Sequence, residues 1–292
     1  MTKQATALSI SRPAREWLHG SYKNQPPAQV LATFERACDL IAQRGEVVAL
    51  VTAPVGDGPL NIVVDGTEGL FTGVKVGETA TMDECWLRVG DLNVDLGNAP
   101  VWEPRPDWDA LRVRHAAVAS GLPMVRDLSL RHAPAESLTL LLDAYRLSGG
   151  AARHMFAAAR KAAEILREGW RGQIEKLQEG TAQLAGLGGG LTPAGDDFLA
   201  GAMLWAWLAH PTPEPICRAV SEAAAPHTTT LSAAFLRAAA RGECSARWHA
   251  LLAGLCDAAE AKITAAVRDI TRHGATSGAD SLAGFLYFSQ NR

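Results

Sequence analysis

Residues 186–201 read GLGGGLTPAGDDFLAG, a glycine-rich loop that runs through two adjacent aspartates into an apolar segment. A weaker copy, GATSGADSLAG, occupies residues 274–284. Aligned on Gly195 and Gly278, the copies share Gly-x-Asp-x-Leu-Ala-Gly without a gap, so Asp197 matches Asp280 and Gly201 matches Gly284. Thr192 matches Thr276 if Pro193 is one extra residue in the first copy. Glycines ahead of a helix let the backbone turn tightly and aim free N–H groups at a ligand. Carboxylates at the same place accept N–H groups of a neutral amide, or hold a Mg²⁺-type cation between themselves and an anion. Capping and the helix dipole account for one aspartate in a first helical turn. A second aspartate behind a Gly/Thr-rich lead-in, and a repeat of the device near the end of the chain, point to a two-part site. The pattern has no Gly-Lys-Ser/Thr after the loop and no Gly-x-Gly-x-x-Gly fed by a strand, so it is not a standard nucleotide signature. If the copies form one site, the loops before Asp197 and Asp280 must meet in space.

A third contributor lies between them. HTTTLS, residues 227–232, places three threonines at the start of another helix, where hydroxyls and backbone N–H groups can reach a ligand or simply cap the helix. The core of the candidate site is therefore Gly188, Gly190, Thr192, Gly195, Asp196 and Asp197, completed by Thr228, Thr229, Ser277, Gly278 and Asp280. Asp196, Asp197 and Asp280 are assigned the chemistry and the remainder substrate binding; whether a metal takes part is left open. His227 and His273 flank the loops and are candidates for acid/base work, although surface or capping roles are commoner for such histidines. Arg153, Arg160, Lys161 and Arg167 share one helical stretch and read as a solvated face with reach to an anion. No Gly-x-Ser-x-Gly elbow, His-Glu-x-x-His or catalytic cysteine context occurs.

These residues need a scaffold, and the chain changes texture along its length. Residues 46–103 are rich in Val, Gly, Asp and Thr. VVALVT (47–52) and LNIVVD (60–65) flank a Pro/Gly/Asp turn region, and ECWLRV and LNVDLG flank Gly90–Asp91, a two-residue hairpin turn. Most of this half reads as antiparallel sheet. From residue 106 onward, helical spacing predicts helices over 107–120, 134–147, 151–168, 173–184, 196–209, 230–240 and 246–272, the last broken near Gly254. The boundary falls at Pro104–Arg105–Pro106, giving a β-rich N-terminal domain (1–104) and a larger, mostly α-helical C-terminal domain (105–292), class α+β. DDFLAGAMLWAWLA, 196–209, is apolar on every face and predicts a central core helix, with Trp205 and Trp207 as packing residues.

The bulk numbers narrow the classes. With 292 residues and 48% hydrophobic content the chain can bury a large core. A net charge of −3 without a Lys/Arg-rich run excludes an electrostatic footprint for nucleic acid. Five scattered cysteines without Cys-x-x-Cys argue against a disulfide framework or zinc ribbon. The opening MTKQATALSISRPAREW has no apolar core of signal-peptide length, and the longest apolar run is about 12 residues against the roughly 20 that cross a bilayer. A cytoplasmic protein with no membrane association is expected.

The ordered set GLGGGLTPAGDDFLAG, TTTLSAAFLRAAARGE and TSGADSLAG resembles a family long catalogued as a domain of unknown function, one branch of which is the AllH-type subunit of oxamate carbamoyltransferase in allantoin catabolism. The resemblance spans mainly residues 187–286. Gly189 stands where the family pattern has proline, Ala194 where it has serine, and Ala275 where it tends to have histidine, with His273 the nearest imidazole. What the resemblance implies is a hetero-oligomeric enzyme in which this chain works beside an FdrA-like subunit and a further partner, moving a carbamoyl group between carbamoyl phosphate and oxamate. Helix N-termini, threonines and carboxylates suit such a small anion with an amide end. Two other readings stay open: a non-catalytic assembly subunit whose glycine loops serve packing, and a metal-dependent amide hydrolase, with Mg²⁺ the expected ion if any.

Overall fold

The computed structural model describes residues 2–21, 28–43, 45–66, 68–82, 85–143 and 153–290. The chain divides into two compact units, Met1–Pro104 and Arg105–Arg292.

The first unit is a closed eight-stranded β-barrel. Its strands are β1 (Lys3–Ser11), β2 (Ala28–Thr33), β3 (Ala37–Ile41), β4 (Val47–Thr52), β5 (Asn61–Val64), β6 (Thr79–Met82), β7 (Trp86–Val89) and β8 (Leu92–Asp95). They run in the order β5-β4-β3-β2-β6-β7-β8-β1, and β1 closes the ring by pairing antiparallel with β5. A short β9 (Val101–Trp102) adds to β1, and helix α1 (Arg12–Ser21) follows β1 directly. Alternation sends Ile10, Val30, Leu40, Leu50, Ile62, Leu87, Leu92 and Val94 into one core. The hairpin at Gly90–Asp91 forms as its sequence predicts, with Val89 opposite Leu92 and Gly90 at φ +55°.

An all-antiparallel sheet is not what forms. β4 and β5 run parallel, as do β1 with β8 and β1 with β9. A parallel neighbour normally needs a long crossover. Here Ala49 pairs with Asn61 and Thr52 with Val64, so residues 53–60 have to climb back only three residue steps, about 10 Å. The Pro- and Gly-rich segment that reads as a turn region between two strands is that short return.

The second unit is helical: α2 (Trp108–Val113), α3 (His115–His132), a 3₁₀ turn (Leu138–Leu142), α4 (Arg153–Trp170), α5 (Ile174–Leu184), α6 (Ala194–Ala209), α7 (Pro213–Ala224), α8 (Thr230–Ala240), α9 (Ala246–Cys256), α10 (Glu260–Thr271) and α11 (Ser277–Ser289). The helix expected over 107–120 is interrupted at Arg114. Of the one expected over 134–147, the 3₁₀ turn is the helical part, and residues 144–152 lie outside the described residues. The break expected near Gly254 falls at residues 257–259, where Ala258 takes φ +50°. Helix α7 escapes sequence reading because Pro213 and Pro215 look like loop residues. Both occupy its first turn, where proline lacks nothing the helix needs.

α6 and α11 are the buried centre, and they cross through the repeated motif. A Cβ on Gly201 would stand 1.8 Å from the Ser281 carbonyl oxygen, and one on Gly284 would stand 1.9 Å from the Phe198 carbonyl oxygen. Phe198 and Ser281 are themselves matched positions, so each helix presents its glycine to the same point on the other, in a local two-fold relation. Around this seam pack Phe198 against Tyr287 (5.6 Å between ring centres), Trp205 against Phe285 (5.4 Å) and Trp108 against Trp207 (6.3 Å). Both tryptophans of α6 are core residues. Since the obstruction at both glycines is backbone, Gly201→Ala and Gly284→Ala should each lower stability by about 3 kcal/mol, the upper part of the overpacking range. Urea unfolding of the two variants checks this, and a loss below about 1 kcal/mol at both positions would disprove the tight crossing.

Candidate active site at the two glycine-rich loops

The sequence repeat is a repeat of structure. Leu187 N–H bonds to the Leu184 carbonyl at the end of α5 (2.9 Å), and His273 N–H bonds to the Ile270 carbonyl near the end of α10 (3.0 Å). Gly195 N–H then reaches the Leu187 carbonyl (2.9 Å), and Gly278 N–H reaches that of His273 (3.1 Å). Asp197 N–H closes the first turn of α6 on Pro193 (3.2 Å), and Asp280 N–H closes that of α11 on Thr276 (2.9 Å). Gly195 and Gly278 are required for the same reason: a Cβ would lie 2.0 Å from the Leu184 oxygen and 1.8 Å from the Ile270 oxygen. The α5–α6 and α10–α11 hairpins are thus two copies of one unit. Their equivalences correct one sequence match: Thr276 corresponds to Pro193, both N-caps, and not to Thr192. The length difference sits earlier, since Gly195 lies eight positions after Leu187 and Gly278 only five after His273.

The additional length forms the exposed tip Gly188–Leu191. Gly188 and Gly190 adopt φ +115° and +88°, a backbone that favours glycine, and Leu191 is 41% exposed. The tip is moored at its base by Asp196, which is 2% exposed. Asp196 Oδ1 accepts Gly186 N–H (3.1 Å). Its Oδ2 accepts the hydroxyls of Thr228 and of Ser232, the latter at 2.9 Å. Thr229 adds a second mooring by donating to the Leu191 carbonyl (2.6 Å) while capping α8 through Ser232 N–H (3.0 Å). The threonine segment therefore joins the first glycine loop, and Asp196 is the staple between them. Ser232 and Gly186 are staple residues that the sequence reading did not single out.

The two loops meet. Thr192 Oγ1 and Ser277 Oγ lie 3.1 Å apart, and the Ser277 hydroxyl also bonds to Asp197. Asp197 is held well above the usual carboxylate range, first by burial and further by the nearby charges of Asp280 and Asp196, with Ser277 opposing. Asp280 is 0% exposed, and burial pushes it up to about 6 against the N–H of Leu138 (2.6 Å) and the hydroxyl of Thr276. The Leu138 donor is 142 residues away and carries no sequence signal. One buried oxygen of each pair, Asp197 Oδ2 and Asp280 Oδ2, has no hydrogen-bond partner.

Other candidates fall elsewhere. His227 is exposed, and its carbonyl abuts Gly186. His273 has its pKa lowered by partial burial and by Arg247, with Asp269 opposing. Arg167 lies 3.9 Å over the Tyr287 ring, so it is not wholly solvated. Among the described residues, no group of three or more His, Cys, Asp or Glu converges as a metal site. A groove of about 420 Å³ lined by Trp170, Arg171, Ile174 and His210 lies past the far end of α6, about 20 Å from the aspartates.

Comparison with known families fits this architecture. A model described as the AllH family N-terminal domain matches residues 6–101, the barrel, and one described as oxamate carbamoyltransferase subunit AllH matches residues 184–289, the loops and helices just built. The chain belongs to the AllH family. No curated protein and no solved structure matches it. The family takes its name from a subunit of oxamate carbamoyltransferase, and the matched region runs from the end of α5 to the end of α11. No helix among the described residues is long and apolar enough to cross a membrane.

Two outcomes follow from the geometry. Asp196→Ala strips three donors of their acceptor and should cost about 3 kcal/mol. It should also make residues 186–193 the first site of limited proteolysis, and unchanged urea midpoint and cleavage pattern would refute the staple. The second outcome concerns pH. A carboxyl whose pKa is raised on folding binds its proton more tightly in the native state, so its stabilisation is complete below its ordinary 3.8 and is lost as pH rises through about 6. For Asp280 that loss is about 3 kcal/mol. Urea unfolding between roughly pH 4 and pH 7 should show a smaller decline in Asp280→Asn than in the wild type, whereas parallel curves would contradict the assignment.

Proposed function

We propose that this chain is the subunit of an oxamate carbamoyltransferase that carries substrate-binding and catalytic groups, working in the cytoplasm beside an FdrA-like subunit and a further partner. In the synthetic direction the oxamate amide nitrogen attacks the carbamoyl carbon of carbamoyl phosphate. The C–N bond of oxalurate forms, the C–O bond to phosphate breaks, and the nitrogen's proton leaves with phosphate. No covalent intermediate on the protein is invoked. The observation that carries the reading is the meeting of two helix starts through Thr192 and Ser277, each helix start carrying an aspartate with a buried, unpartnered oxygen, Asp197 and Asp280. Backbone N–H groups of Gly188 and Gly190 and the hydroxyls of Thr192 and Ser277 are assigned to the anionic parts of the substrates, while Gly195 and Gly278, whose own N–H groups bond to the Leu187 and His273 carbonyls, are assigned to shaping the two loops around them. Asp197 and Asp280 are assigned to the carbamoyl end, where fixed groups stabilise charge developing in the transition state. Thr228, Thr229 and Asp196 are assigned to holding the loop that binds.

A second reading has one observation in its favour: Asp196 and the threonines spend their hydrogen bonds on their own chain, as packing residues of an assembly subunit would. One experiment separates the two. With the chain purified together with its partner subunits, phosphate-dependent breakdown of oxalurate is measured. Asp197→Ala and Asp280→Ala should each lower kcat/KM by about 100-fold, with the complex still assembled, the usual scale for losing one transition-state group. Intact complexes with full activity in both variants would sink the catalytic reading and leave the assembly role.

A further inference from the structure

At the end of α6 away from the glycine loops, a groove of about 420 Å³ opens where the end of α4 and the starts of α5 and α7 come together. That volume is in the range of small-molecule sites. Its walls are apolar: Trp170, Ile174, Leu177 and Ile216 line it, and Ile174 is 46% exposed. They are also fixed. Gly169 brings α4 onto α5 so closely that a Cβ there would stand 2.2 Å from the Leu177 nitrogen. Gly172, at φ +106°, turns the chain between the two helices. Trp170 is backed by Phe288 of α11, with 4.5 Å between ring centres, so its position is set before anything binds.

Two side chains add polarity to the groove, and both offer donors. Arg171 is exposed, and its guanidinium has no ion pair among the described residues. Its neighbours along the chain are engaged, Lys176 with Glu168 (3.5 Å) and Arg167 over the Tyr287 ring (3.9 Å). His210 accepts the Thr212 N–H on Nδ1 (3.1 Å), so the proton of the neutral ring sits on Nε2, which is left to donate. No Asp or Glu among the described residues lines the groove. A cation therefore meets no acidic side chain, and a small inorganic anion would leave the four apolar walls in water. A carboxylate on an apolar body meets both demands. Its oxygens match the planar fork of Arg171 and the N–H of His210, while its body covers Trp170 and Ile174. We propose that this groove is a second ligand site, for a monocarboxylate carrying one aromatic or branched apolar group, with Arg171 and His210 as its carboxylate-binding residues. It is independent of the reading given to the glycine loops, from which α6 separates it by about 20 Å.

The test is calorimetric titration of the full chain at neutral pH with phenylacetate, phenylacetamide and acetate. Phenylacetate should bind at least about tenfold more tightly than phenylacetamide, whose N–H groups would face donors, the scale of one hydrogen bond to a charged group. It should exceed acetate by a similar factor, because acetate lacks the apolar body. Arg171→Gln should remove most of the preference for acid over amide and leave phenylacetamide binding as it was. Ile174→Ser should weaken acid and amide alike. Both positions are exposed, and urea unfolding without ligand verifies that the variants fold; the Arg171→Gln comparison stands by itself if the other does not. Asp197→Ala should bind phenylacetate as the wild type does. Absence of phenylacetate binding, equal binding of acid and amide, or an unchanged preference in Arg171→Gln would each overturn the proposal. So would loss of binding in Asp197→Ala, which would place the ligand at the glycine loops instead.

Discussion

Two backbone carbonyls set the terms for the helical unit. The Ser281 oxygen occupies the place of a side chain at Gly201, and the Phe198 oxygen does the same at Gly284. Contact this close is available to glycine alone, and it fixes both the separation and the rotation of α6 and α11. One turn before each glycine stands the matched aspartate. Helices that cross closely near their first turns carry those turns together, so the loops ahead of them converge as well. The hydroxyl contact between Thr192 and Ser277 and the mutual influence of Asp197 and Asp280 follow from that crossing.

The same constraint explains why the paired motif of the candidate site was readable in the sequence while its surroundings were not. A close crossing demands a small residue at a fixed distance from the helix start, so Gly-x-Asp-x-Leu-Ala-Gly appears twice with an unbroken spacing. The core helix was legible from the apolar run 198–209, because a segment without a polar face has no solvent to face. The barrel was legible only as a β-rich half. Its closure depends on β1 pairing with β5, β8 and β9, partners scattered along the domain, and alternation within a strand says nothing about which strand lies beside it. Helix α7 was hidden by prolines that read the same in a loop and in a first turn.

The division among the three aspartates could not be seen in the sequence. Asp196 and Asp197 are adjacent and chemically identical, yet a helix turns about 100° per residue. That rotation points Asp196 at Gly186 and the threonines and Asp197 at Ser277. One becomes a staple with both oxygens occupied, while the other retains an oxygen without a partner. Similarly, Asp280 draws an N–H from Leu138 in a 3₁₀ turn whose proximity no local pattern announces.

The two hairpins share their seam but not their decoration: Asp196 faces Ala279 in the alignment, Pro193 faces Thr276, and the first loop carries the longer tip. Such a chain has the form of a fused dimer of one helical hairpin, with the two-fold axis running through the glycines. Fusion releases each half from the obligation to be identical, as two separate copies of one gene product must be. The seam remains under joint constraint, since a change at either glycine strikes the other helix's backbone. The loops do not, and one half was free to grow a moored tip while the other contributed its bare aspartate. A symmetric pair of loops could not tell one end of an asymmetric ligand from the other, whereas this pair, with its tip on one side only, presents two different faces.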